Sequence, residues 1–131
     1  MPEINWIAVV VATIAAFATG ALWYSPLLFV KAWKKEMGVP DDAAGTPTVK
    51  MIVVTLLLLF LASSMFAMFL GPSPGLAFGL GAGFAAGLFW VAAINGVHYL
   101  FEQRSFRMWL INAGYDTTVF TVIGAVLGAF S

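Results

Sequence analysis

Four long apolar stretches follow one another along the chain and leave little room for anything else. They cover about residues 4–30, 51–70, 76–101 and 108–130. Each approaches or exceeds the ~20 residues that an α-helix needs to cross the hydrocarbon core of a bilayer. The apolar runs do not alternate as strands would, and helices satisfy every backbone group in lipid. The sequence therefore predicts an all-α, four-helix transmembrane bundle with short loops, as a single membrane domain over residues 1–131.

The composition agrees with a lipid environment. Of 131 residues, 62% are hydrophobic and 9% are charged, whereas soluble domains carry roughly 25% charged residues. A chain this short cannot hide so much apolar surface in a water-soluble core, so we expect a lipid bilayer to surround it. The formal net charge is zero and there is no cysteine, so we expect no nucleic-acid partner and no thiolate chemistry. With a single histidine, we also predict no metal site and no cofactor.

The basic residues indicate how the chain crosses the membrane. They lie in the loop after the first span and in the turn after the third, and the positive-inside rule places such loops in the cytoplasm. We therefore expect a multi-pass protein of the cell inner membrane, with loop 31–50 cytoplasmic and both termini outside. The first apolar run is too long for a signal peptide, so we expect Met1 to be the mature start. The basic residues are Lys31, Lys34, Lys35, Lys50, Arg104 and Arg107.

Three spans carry small residues at four-residue spacing, which places each row on one helix face. Such rows let another helix approach closely and gain van der Waals contact in lipid. They pack either the helices of one chain or the subunits of a homo-oligomer, for which we favour a dimer. The second span lacks such a row, and we expect it to face lipid. The predicted packing residues are Ala12, Ala16, Gly20, Gly79, Gly83, Gly87, Gly124 and Gly128.

Polar side chains concentrate in the half of the bundle near the basic loops. Because polar groups are costly in a membrane, they usually face the bundle interior. At ~1.5 Å rise per residue, His98 should lie level with Asn112, and Asn95 near the level of Asp116. We predict a ligand site or proton pathway there, formed by Tyr24, Ser25, Asn95, His98, Asn112, Tyr115 and Asp116.

Asp116 is the only carboxylate well inside a span. An ionised carboxylate is costly there, so it should be protonated, paired or wetted by a cavity. His98 is its nearest candidate cation. Two interpretations stay open: the polar groups fix helix packing through interhelical hydrogen bonds, or they line a path for a solute or a proton.

Three functions are consistent with these features. The first is a small-solute or ion transporter or channel that uses the polar site. The second is a structural or accessory membrane protein without a substrate. A weaker third is an intramembrane lipid-modifying enzyme, for which Ser25 and His98 are the only visible nucleophile and base. We expect no enzymatic activity.

Two strings are more specific than composition. Residues 23–26 read Trp-Tyr-Ser-Pro, and residues 111–115 read Ile-Asn-Ala-Gly-Tyr. Together they resemble the signatures of a family of small bacterial membrane proteins classed as domain of unknown function 1761. The chain departs from the pattern at Val30, where a small residue is expected, and at Asp116, where a histidine is expected. The resemblance implies the fold and the membrane location, and it implies no activity.

Overall fold

The structure, a computed structural model, describes residues 4–23, 35, 49–71 and 74–130. Within these ranges it contains four long helices and no strand. Helix α1 is Trp6–Trp23, α2 is Val49–Leu70, α3 is Leu76–Phe101 and α4 is Phe106–Ala129. All four are long and apolar enough to cross a membrane. The predicted all-α, four-helix membrane fold is therefore confirmed.

The helix ends follow from local chemistry. The side chain of Asn5 accepts a hydrogen bond from the backbone of Ala8 at 3.1 Å and starts α1. Ser105 does the same for Met108 at 3.0 Å and starts α4 two residues before the predicted span. Gly71 and Gly75 both have positive φ, at 88° and 81°, which the tight turn between α2 and α3 requires. The predicted parts of the first span beyond Trp23, and nearly all of loop 31–50, lie outside the described residues.

Helix α3 is not uniform along its length. It is α-helical over Leu76–Ala85, π-helical over Ala86–Ala92 and α-helical again over Ala93–Phe101. In a π-helix the backbone hydrogen bonds reach five residues back rather than four, and such segments are rare. Nothing in the residue pattern predicted this change.

The glycines of α3 and α4 form the tightest seam of the bundle, which we call the glycine seam. Gly79 lies against the backbone of Gly124, and Gly83 lies against that of Phe120. A Cβ atom at Gly87 would stand 2.7 Å from the carbonyl oxygen of Asp116. Closer to the chain's end, Gly128 lies against the turn glycine Gly75. The backbones of α3 and α4 therefore meet with no side chain between them.

Helix α1 packs on the other side of α4. Its small residues Ala8, Ala12 and Ala16 are buried in one core with Ile123 and Leu127. Every predicted row of small residues therefore makes contacts within a single chain. The homo-oligomer stays a prediction.

Helix α2 was predicted to face lipid, and its second half differs from this prediction because it is partly buried. Its first half is mostly exposed, as expected for a lipid-facing helix. Its second half buries Ser63, Phe66, Ala67 and Leu70, because Ser63 and Ala67 form a short row of small residues at four-residue spacing. Helix α2 packs along α1, and it reaches α3 through an edge-on contact between the rings of Phe69 and Trp90.

Candidate functional site

Four polar side chains meet between α3 and α4, at the end of the bundle where Arg104 and Arg107 lie. We call Asn95, Tyr99, Asn112 and Asp116 the polar cluster. The amide of Asn95 donates a hydrogen bond to Oδ2 of Asp116 at 2.8 Å. The amide of Asn112 donates to the hydroxyl of Tyr99. All four side chains are half-buried.

The sequence places these groups opposite one another for a simple reason. Asn95 and Tyr99 are four residues apart on α3, and Asn112 and Asp116 are four apart on α4, so each pair shares a helix face. The two helices are antiparallel neighbours joined by a turn of four residues. The close approach at Gly87 brings the backbone of Asp116 onto α3. The polar cluster therefore begins where the glycine seam ends.

Two tryptophans near the polar cluster form hydrogen bonds between neighbouring helices. The indole N–H of Trp109 donates to the carbonyl oxygen of Ala92 at 2.9 Å, across the α3–α4 interface. The indole N–H of Trp23 donates to the carbonyl oxygen of Ile111 at 3.0 Å, across the α1–α4 interface. An indole in an apolar environment needs such an acceptor.

Each indole lies over a glycine. A Cβ atom at Gly96 would stand 2.9 Å from Nε1 of Trp109, and one at Gly114 would stand 2.7 Å from the ring of Trp23. Sequence reasoning assigned no role to Trp109, Gly96 or Gly114 in the site. A sequence pattern that could have indicated these residues is a tryptophan and a glycine at the same depth on neighbouring helices.

Tyr115 lies beside the cluster on α4 and faces α1 rather than α3. A Cβ atom at Gly20 would stand 3.2 Å from its ring and its hydroxyl. The predicted packing residue and the predicted pathway residue therefore meet in one contact. Tyr115 borders the α1–α4 interface, whereas Asn112 and Asp116 face α3.

The expected position of His98 needs correction. Its side chain is exposed, and Tyr99 rather than His98 contacts Asn112. Among the described residues, Asp116 pairs with Asn95 and no ion pair joins it to His98. Residues 98 and 99 are adjacent on α3. The rotation of the helix about its axis determines which of them faces α4, and the residue pattern does not specify that rotation.

Two predicted pathway residues, Tyr24 and Ser25, lie outside the described residues. Among the residues that are described, no three His, Cys, Asp or Glu side chains come close enough to hold a metal ion. The polar cluster instead offers carboxylate, amide and hydroxyl oxygens. Such oxygens suit a proton or a hard cation rather than a transition metal.

Different groups border the polar cluster on its two sides along the α3–α4 interface. On the side of the α3–α4 turn, the guanidinium of Arg104 lies 5.5 Å from the centre of the Tyr99 ring, and its side chain is 40% exposed. On the other side the glycine seam closes the interface. There Thr121 donates its hydroxyl hydrogen bond to the carbonyl of Thr117 in its own helix, at 2.7 Å.

A comparison with known families identifies one that covers most of the chain. The sequence pattern of a family described as "Protein of unknown function (DUF1761)" matches residues 7–128. That range includes most of the length of all four helices and the whole polar cluster. No curated protein and no solved structure matches the chain.

Proposed function

Since the chain belongs to the DUF1761 family of proteins of unknown function, we propose its activity from the site alone. Within the class of small-solute and ion transporters and channels, it moves a proton or a monovalent cation across the membrane that its four helices cross. Asp116 is the group that binds the ion. Asn95, Asn112 and the hydroxyl of Tyr99 are its neighbours in the path.

The observation that carries this proposal is the pairing of Asp116. Its one hydrogen-bond partner among the described residues is the neutral amide of Asn95, on a single carboxylate oxygen. A carboxylate inside a membrane-spanning helix needs a proton, a cation or water to offset the loss of hydration. A neutral amide supplies no positive charge. The site is therefore suited to take up a proton or a cation from outside the protein.

The position of the polar cluster indicates the side of the membrane from which the ion enters. The polar side chains lie towards the end of the bundle where Arg104 and Arg107 lie, which the positive-inside rule assigns to the cytoplasm. The glycine seam separates Asp116 from the opposite end. In this conformation the ion reaches Asp116 from the basic end, and transport requires a second conformation that opens the other side.

Flux in reconstituted vesicles tests the proposal. Vesicles with wild-type protein are given a proton, sodium or potassium gradient in separate runs, and each run uses an internal dye that is sensitive to the ion whose gradient is applied. Flux above that of protein-free vesicles is expected in at least one run. Asp116→Asn keeps the size and one oxygen that can accept the hydrogen bond of Asn95, but it removes the ionisable group. It should therefore reduce that flux to the protein-free level.

A matched control makes the result specific. Glu102→Gln is the same chemical change in an exposed carboxylate at the end of α3, where it pairs with Arg104, and it should reduce the flux far less than Asp116→Asn does. If Asp116→Asn conducts as well as wild type, Asp116 does not bind the ion. If wild type conducts neither protons nor cations, the transport proposal fails as a whole.

One observation favours a second candidate, a structural or accessory membrane protein. Both amides of the polar cluster bond to side chains of the neighbouring helix, and interhelical hydrogen bonds of this kind hold membrane helices together. This function predicts that Asp116→Asn lowers the thermal stability in detergent and that no cation raises it. Stabilisation of wild type by a cation, lost in Asp116→Asn, would contradict it.

A further inference from the structure

The π-helical segment of α3 lies directly between the glycine seam and the polar cluster. Gly87, the last glycine of the seam in α3, belongs to Ala86–Ala92, and Asn95 follows this segment by three residues. Both residues approach Asp116, Gly87 through its backbone and Asn95 through its side chain. Asp116 of α4 therefore contacts two residues of α3, Gly87 and Asn95, that are eight residues apart.

Helix geometry shows why the segment matters. An α-helix turns by about 100° per residue, so eight residues of uninterrupted α-helix would place Asn95 about 80° around the axis from Gly87. The hydrogen bonds of a π-helix close over one more residue, so each of its residues turns the helix by less. Since Ala86–Ala92 covers most of this interval, it brings Asn95 back towards the side that Gly87 presents to Asp116.

A π-helical segment is less favourable than an α-helix and needs support from its surroundings. The structure shows one such support from another helix. Trp109 donates its indole hydrogen bond to the carbonyl oxygen of Ala92, the last residue of the segment. Its ring passes over Gly96, the neighbour of Asn95, and stacks on Phe106 at 5.6 Å between ring centres.

We infer that Trp109 is a positioning residue for Asp116: by holding the carbonyl of Ala92 it fixes the end of the π-helical segment and keeps Asn95 on the Asp116 carboxylate. Trp109 itself does not contact the ion. The inference deepens the proposed function, since it assigns a residue that shapes the same site. It is tested on the carboxylate itself, so its outcome does not depend on any flux.

The infrared spectrum of the full-length protein in lipid provides the measurement. The chain has only six acidic residues, so the carboxyl band of Asp116 can be identified as the one lost in Asp116→Asn. Asn95→Ala removes the hydrogen bond and should shift this band. Trp109→Phe, which keeps an aromatic ring but removes the N–H donor, should shift it in the same direction. The control Trp90→Phe alters an exposed tryptophan of the same segment and should leave the band unchanged.

A second pair of variants keeps the test valid if Trp109→Phe fails to fold. Gly96→Ala adds a methyl group 2.9 Å from Nε1 of Trp109 and should displace the indole, again shifting the Asp116 band. Gly81→Ala is its control, because a Cβ atom there meets nothing within 4 Å.

Three results would overturn the inference. The first is a band that moves in Asn95→Ala but stays in place in both Trp109→Phe and Gly96→Ala. The second is an equal shift in Trp90→Phe, which would mark a general effect of losing a tryptophan. The third is a band that does not respond to Asn95→Ala, which would show that the carboxylate does not depend on Asn95.

Discussion

Replacing Gly83 by alanine tests the glycine seam against a control two residues away. A Cβ atom at Gly83 would lie 2.9 Å from the carbonyl carbon of Phe120 and 3.0 Å from Cα of Thr121. Both are backbone atoms that cannot rotate away. The carbonyl oxygen of Phe120 lies closer still. To restore ordinary contact, α3 and α4 must move apart by roughly 1 Å, and a gap of this size forfeits up to about half of each dispersion contact along the seam.

The magnitude follows from this separation. Overpacking of a closely fitted interface costs about 1–3 kcal/mol, and the better helix propensity of alanine returns at most about 1 kcal/mol. We therefore expect Gly83→Ala to lower the free energy of unfolding by about 1–2 kcal/mol. Gly81→Ala meets no atom within 4 Å and should be neutral or stabilising by up to about 1 kcal/mol.

Reversible unfolding of both variants in the same detergent or bicelle, followed by circular dichroism, measures the two free energies. The expected difference between them is about 2 kcal/mol. Equal stabilities for the two variants would refute the close approach of α3 and α4, because the substitution is identical and only the position on the helix differs.

The remaining predictions concern hydrogen bonds in the bundle. The buried hydroxyl of Ser63 has no hydrogen-bond partner in the described structure, so Ser63→Ala should leave the thermal stability unchanged or raise it by up to about 1 kcal/mol. Its neighbour Ser64 donates to the carbonyl of Phe60 at 2.7 Å, and Ser64→Ala should give no such gain; a clear loss of stability in Ser63→Ala would show that its hydroxyl is bonded. Trp23→Phe removes the donor to Ile111 and should cost about 1 kcal/mol. In the same detergent Trp6→Phe, at an exposed position on the same helix, should cost less, and the reverse order would contradict the role of Trp23 in joining α1 to α4.

The sequence was sufficient for the fold because span length and hydrophobicity determine it. The predicted third span coincides with α3, and the predicted second and fourth spans begin within two residues of α2 and α4. Counting the rise along two antiparallel helices also placed Asn95 beside Asp116, and the hydrogen bond between them agrees with that depth.

The rotation of each helix about its own axis could not be predicted from the sequence. Depth alone made His98 the neighbour of Asn112, yet Tyr99 makes the contact. The side that α3 turns to α4 depends on the glycine seam and on the π-helical segment, and both emerge only when two helices pack. The same limit applies to Trp109, since its indole finds the carbonyl of Ala92 across an interface.

A structure in a lipid bilayer, at a resolution that shows ordered waters, distinguishes a hydrated ion site at the polar cluster from a dry contact between helices. We expect ordered waters or non-protein density in contact with the Asp116 carboxylate, continuous with the basic end of the bundle. A dry cluster, in which every polar atom of Asn95, Tyr99, Asn112 and Asp116 pairs only with protein, would contradict this expectation and leave helix packing as the role of these residues.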